Sequence, residues 1–287
     1  MTLAPEQPIG VFDSGVGGLS VLQALRTELP HERFVYLADS ANAPYGERGD
    51  AFVAARTHAI TQYLRDVHHI KALVVACNTA TAAAIHEVRS SHPDLPLVGL
   101  EPALKPAVAR SKTGRIGVIA TRGTLSSAKF GKLLASLAGE ADIVVQACDG
   151  LAHAIERATA CSQPGMPPHA LEVRTLCDRY LKAMGSFGVE KGQIDTLVLG
   201  CTHYIFARDA LRALVGPGVQ FIDTGAPVAR QTRRLLQTAG LLHSEDIPLS
   251  RETALQLLTT GSLAHLQTVA QHWLQLPSSC CAAVVVP

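Results

Sequence analysis

The chain has 287 residues, of which 47% are hydrophobic and 17% charged. This is enough for about two domains with buried cores, and it excludes a disordered or peptide-sized protein. Twenty-five Lys and Arg stand against 24 Asp and Glu, a formal net charge of +1. That balance gives no electrostatic reason to expect nucleic acid or an anionic membrane as a partner. No run reaches the ~18 apolar residues of a membrane span, and MTLAPEQP lacks the regions of a signal peptide, so a cytoplasmic protein is expected. The seven cysteines (Cys77, Cys148, Cys161, Cys177, Cys201, Cys280 and Cys281) follow no disulfide spacing, and reduced thiols are expected.

In chain order, short apolar runs read as strands: IGVFD, RFVYLAD, ALVVAC, LPLVGL, RIGVIAT, DIVVQAC, TLVLGC and VQFIDTG. Helical patterns such as 50–68 and 124–138 separate them, which is the signature of parallel sheets covered by helices. IGVFDSGVGGLS (9–20) echoes IGVIATRGTLS (116–126), and ALVVACNTA (72–80) echoes TLVLGCTHY (196–204). These separations far exceed solenoid periods, so a duplicated α/β unit is expected, its halves facing each other across a cleft. The first domain is expected over 1–98 plus 209–287, the second over 99–208. Helical patterns are read at 226–239 and 251–275, and SSCCAAVVVP is expected to fray.

Several strands end in polar or reactive residues, where open α/β sheets place ligands. Asp13-Ser14-Gly15-Val16-Gly17-Gly18 follows a strand and opens a helix, a place for an anionic ligand group. The same loop also fits a dinucleotide fingerprint, Gly15-x-Gly17-x-x-Ser20 with Asp39 as the ribose acid, although its third glycine is missing. Cys77 ends one strand before Asn78, Thr79 and Thr81, and Cys201 ends another before Thr202 and His203. Thiols at helix starts suit reactive cysteine. Two of them in equivalent halves offer an acid and a base. A nucleophilic Cys201–His203 pair is a weaker reading, because residues two apart on a turn are not expected to point at each other. No spacing completes a zinc site. Lys71, Lys105, Lys112, Lys129, Lys132, Lys182 and Lys191 mostly read as solvated charges, with none placed as a Schiff-base lysine. Asn42-Ala43-Pro44-Tyr45-Gly46 is turn-rich, and its Tyr hydroxyl is a candidate carboxylate ligand. Thr121 and Thr124 either meet a ligand or cap a helix. Glu156 lies in the helical pattern LAHAIERA, where a surface charge is the plain alternative.

Together, DSGVGGLSV, the PYG turn, ACNTAT, IGVIAT and GCTHY resemble the glutamate racemases of the aspartate/glutamate racemase superfamily, in order from about residue 9 to 225. The resemblance implies two pseudosymmetric α/β domains with the active site between them. It also implies cofactor-independent interconversion of L- and D-glutamate, supplying peptidoglycan in a bacterial cytoplasm. Cys77 would act on the D-enantiomer and Cys201 on the L-enantiomer, with Asp13 and His203 assisting. Asp13, Ser14, Pro44, Tyr45, Gly46, Asn78, Thr79, Thr121, Thr124, Thr202 and His203 would surround the substrate, with Glu156 as a further acidic helper. Cys148-Asp149 stands where the family usually has cysteine-proline, and Ile205 where a proline often follows. No cofactor or metal is implied, the partner is the small-molecule substrate, and a homodimer fits such enzymes. Aspartate or hydantoin racemases share the two-thiol logic, and an NAD-type oxidoreductase is the rival class.

Overall fold

The computed structural model describes residues 3–159, 168–244 and 254–287; Cys161 lies outside them. Among the described residues ten strands run in chain order: β1 (Ile9–Asp13), β2 (Phe34–Ala38), β3 (Ala72–Val75), β4 (Leu97–Gly99), β5 (Arg115–Ala120), β6 (Asp142–Ala147), β7 (Thr196–Gly200), β8 (Gln220–Ile222), β9 (Leu255–Thr259) and β10 (Cys281–Ala283). They form two parallel sheets, β10-β9-β2-β1-β3-β4 and β6-β5-β7-β8. The chain divides accordingly into Met1–Leu100 with Gly225–Pro287, and Glu101–Thr224.

Apolar residues on both sides of a strand bury both faces of these sheets, as parallel sheets require. In the first unit Ile9, Val11 and Tyr36 pack on one face, and Phe12, Leu37 and Val75 on the other. In the second, Ile119, Leu197 and Leu199 pack on one face, and Ile116, Val118 and Val198 on the other.

The strand orders β2-β1-β3-β4 and β6-β5-β7-β8 repeat one topology, the structural counterpart of the two sequence echoes. In each, the chain passes from its first strand to one side and then crosses back to the other. The sense of winding therefore switches between β1 and β3, and again between β5 and β7. Crevices at the carboxyl ends of strands open at such switch points.

Three expectations are corrected. The segment 209–224 belongs with the second unit, because β8 pairs with β7, Thr196 opposite Gln220. The pattern at 251–275 is not one helix: the part that can be described is β9, paired with β2, followed by the helix Leu263–Leu274. Leu255, Leu257 and Leu258 are buried in the sheet, and Ser262 caps the new helix by accepting from His265 N at 3.3 Å. Finally, the tail forms β10 on the edge of the first sheet and buries Val286, since its apolar run suits a strand.

Candidate active site

In the first unit, β1 and β3 deliver Asp13 and Cys77 to the switch point. Asp13 is fully buried, and its carboxylate accepts from Ser14 N at 2.7 Å and Gly18 N at 2.5 Å. The glycine-rich loop therefore turns amides toward its own carboxylate. Gly18 allows this approach, since a Cβ there would lie 2.7 Å from the Asp13 Cβ. Cys77 is the N-cap of helix Asn78–Ser91; its sulfur accepts from Ala80 N at 3.5 Å and donates to Ser14 Oγ at 3.8 Å. Next to it, Asn78 is 4% exposed, yet among the described residues neither its amide oxygen nor its amide nitrogen has a hydrogen-bond partner. Buried polar atoms without partners are uncommon, and a ligand is one group that can complete their bonding. Thr79 is buried beside it.

Pro44 follows a cis peptide bond and Tyr45 opens the short turn Tyr45–Glu47, with Gly46 half-buried within it. Tyr45 shares a buried cluster with Cys77. Its hydroxyl donates to Asp39 Oδ2 at 2.6 Å, so the phenol has no second proton for a substrate carboxylate. Burial and the Asp39 charge hold the phenol well above its ordinary value, keeping it protonated. Asp39 also accepts from Arg56, Asn42 and Thr260. Burial alone would raise this carboxyl, but the Arg56, Tyr45, Asn42 and Thr260 donors outweigh it and hold Asp39 below its usual value. An Asp39 engaged in this way is not the ribose ligand of a dinucleotide site, and Gly18 N is taken by Asp13 rather than offered to a pyrophosphate.

In the second unit, Thr121 follows β5 and caps the helix Arg122–Leu125, accepting from Thr124 N at 3.3 Å, with the two hydroxyls 2.9 Å apart. Cys201 follows β7 and opens the 3-10 turn Thr202–Ala207, in which Thr202 and His203 are buried. The turn brings Cys201 Sγ within 3.8 Å of His203 Nδ1, correcting the expectation that residues two apart would point away from each other. His203 Nε2 lies 2.5 Å from Glu156 Oε2, on helix Leu151–Thr159, so Glu156 is not a plain surface charge. Burial disfavours the imidazolium, but hydrogen bonds to Cys201 and Glu156, with their charges, overcome it and raise His203 well above its ordinary value.

The remaining described thiols are quieter. Burial pushes Cys177 up to about 12 and, with Cys177 and Cys201 nearby, Cys148 higher still. Cys281, half-buried beside Cys280, is pushed up to about 12. Among the described residues no His, Cys, Asp and Glu cluster could hold a metal ion, and no helix is long and apolar enough to cross a membrane. Sequence reading missed Arg56 and Thr260; both are ordinary residues on a helix and a loop, remote in sequence from the Asp39 they bind.

A model of the Asp/Glu/Hydantoin racemase family matches residues 9–232. Glutamate racemase of Herpetosiphon aurantiacus is 43% identical over 266 residues, 93% of this chain and 97% of that protein. Among solved structures, a glutamate racemase isoform of Bacillus anthracis superposes with a TM-score of 0.81 at 31% identity, covering 99% of both chains. Escherichia coli glutamate racemase, in complex with L-glutamate and an activator, gives a TM-score of 0.80 at 27% identity over 98% of this chain and 99% of that one.

Proposed function

This chain belongs to the Asp/Glu/Hydantoin racemase family, and we propose that within it the chain interconverts L- and D-glutamate, using Cys77 and Cys201 as its acid and base. The observation that carries this reading is the pair of buried thiols at equivalent strand tips, after β3 and after β7, each with its own polar partners. Relatives with this name, at 43% identity over nearly the whole chain, support glutamate over aspartate or a hydantoin.

Inversion requires the α-proton to leave from one face of the carbon and arrive on the other. One thiolate takes it while the other thiol delivers its own, and their protonation states exchange with each turnover. Cys77 acts on the D-enantiomer and Cys201 on the L-enantiomer, with Asp13 beside the first and His203, oriented by Glu156, beside the second. A general acid or base typically contributes ~10²–10⁴-fold, so fixed donors must also stabilise the carbanion. Asn78 is the clearest of these, since its amide nitrogen is buried with no acceptor among the described residues. Ser14, Thr79, Thr121, Thr124 and Thr202 add hydroxyls, and the Pro44-Tyr45-Gly46 turn adds shape. No pyridoxal phosphate takes part. The product supplies peptidoglycan synthesis in a bacterial cytoplasm, and the enzyme works as a homodimer.

The test is incubation with L-glutamate in heavy water, without added cofactor, following optical rotation and α-deuterium for wild type, Cys77→Ala and Cys201→Ala. Racemisation with deuterium incorporation, lost in either variant, is the expected result. A wild type that leaves glutamate unchanged but racemises aspartate or a hydantoin overturns the substrate.

A further inference from the structure

Asp39 is the hub of a buried network that joins four separate pieces of the first unit. It stands at the end of β2, and its Oδ1 accepts from Asn42 Nδ2 at 3.1 Å, Thr260 Oγ1 at 2.9 Å and Arg56 Nη2 at 3.0 Å. Its Oδ2 accepts from Tyr45 Oη at 2.6 Å and Arg56 Nε at 3.1 Å. Arg56 comes from helix Asp50–His68 and grips the carboxylate with two nitrogens, while Nη1 donates to the main-chain oxygens of Val286 at 3.3 Å and Pro287 at 3.1 Å. Thr260, following β9, also accepts from Ala41 N at 3.2 Å, which ties the same turn a second time. Such a network is fully buried at Asp39 and nearly so at Tyr45, where the ring shares its cluster with Cys77.

A network serving stability alone has no need to end on the turn beside a reactive thiol. We propose that Asp39 and Arg56 are positioning residues for the Cys77 half of the reaction, their ion pair holding the 42–46 turn and the Tyr45 ring against Cys77. The kinetic side of this inference rests on the racemase reading; the geometric side does not. A guanidinium fork is required, because a lysine ammonium cannot hold both carboxylate oxygens and the two main-chain oxygens at once. The tail beyond β10 becomes part of the device by supplying those oxygens.

The test compares Arg56→Lys and Thr260→Val with wild type in the full chain. One readout is KM against kcat for glutamate. The other is the rate at which iodoacetamide alkylates Cys77 in a Cys201→Ala background, followed by peptide mass spectrometry, which needs no turnover. For Arg56→Lys the expected result is a KM raised about tenfold, with kcat changed by less than about threefold, and a Cys77 alkylation rate altered at least threefold. Thr260→Val, which loses one neutral donor to Asp39 and the acceptor for Ala41 N but keeps the ion pair, shifts both in the same direction by a smaller factor. Folded variants with lower melting temperatures but KM and alkylation within about twofold of wild type overturn the proposal, leaving a structural network only. If Arg56→Lys fails to fold, Thr260→Val decides by the same criteria. A wild type inactive on glutamate removes the racemase reading alone, and the alkylation rates then decide this one.

Discussion

His203 and Glu156 meet at 2.5 Å, Nε2 to Oε2, although 47 residues separate them in the chain. The pairing has a signed pH consequence. Because the folded value of His203 is raised above its ordinary 6.5, its protonation stabilises the fold fully below about that pH. The contribution is lost as pH rises through the raised folded value. Glu156→Gln removes the carboxylate, so the melting-temperature gap between wild type and variant should be widest near pH 6 and narrow as pH rises. The alkaline limb of the kcat/KM profile should also move to lower pH, because the carboxylate that favours the imidazolium is gone. A gap independent of pH would place the proton elsewhere.

Gly18→Ala should cost about 1–3 kcal/mol, because the new methyl meets neighbours that have nowhere to go. Its Cβ would lie 2.7 Å from the Asp13 Cβ, 3.0 Å from the Tyr36 hydroxyl and 3.1 Å from the Ala76 Cβ. The loop would have to move, loosening the bond from Gly18 N to the Asp13 carboxylate. Gly131→Ala is the control: it lies inside helix Ala128–Ala135 with nothing within 4 Å of its Cβ, so it should stabilise by roughly 0.5–1 kcal/mol. Urea denaturation of the two variants reads both effects, and equal midpoints would refute the steric argument.

Lys71 and Glu32 form a buried ion pair, Nζ to Oε2 at 2.5 Å. Burial pulls the Lys71 ammonium below its ordinary value, with Glu32 opposing, and its Nζ also donates to the Pro5 carbonyl. The other Glu32 oxygen accepts from His243 N at 2.9 Å. Lys71→Met leaves a buried carboxylate unpaired and should cost about 3–5 kcal/mol. Adding Glu32→Gln removes that charge while keeping an acceptor for His243, so the double variant should recover most of the loss. A double variant as unstable as the single one would show that packing, not charge, sets the cost.

Lys71 also marks where sequence reading stopped. Before β3 it looks like any solvated lysine, and nothing nearby reveals that Glu32 will meet it. What was legible was local: an apolar run ending in Asp13, Cys77 or Cys201 fixes both a strand and the residue at its tip. The duplication was legible for the same reason, because the runs repeat with their tips attached. By contrast β9 was obscured, since its apolar residues also suit helical spacing and only pairing with β2 decides between the two periods, while β10, expected to fray, takes strand form by pairing with β9. The Cys201–His203 contact depends on a 3-10 turn rather than an extended one. Arg56 and Thr260 reach Asp39 across 17 and 221 residues, a relation no local pattern encodes.

Asn78 offers a direct test of whether the first unit is built for binding at the expense of stability. Its amide oxygen and nitrogen are both buried without a partner among the described residues. An unsatisfied buried polar group costs about 1–3 kcal/mol, whereas an apolar group of similar shape avoids that cost. Asn78→Leu should therefore stabilise the unliganded protein, by up to about 1 kcal/mol after allowing for leucine's different branching. If glutamate supplies the missing partners, the same variant should bind it far more weakly, and the thermal stabilisation that saturating glutamate gives wild type should disappear. Asn78→Asp is a useful third protein: it keeps an acceptor but loses the donors and adds charge, so it should lose both stability and binding. The discriminating measurement is the melting temperature of all three with and without glutamate. Should Asn78→Leu prove less stable than wild type while still responding fully to glutamate, the amide is a packing element, and the substrate finds its donors elsewhere.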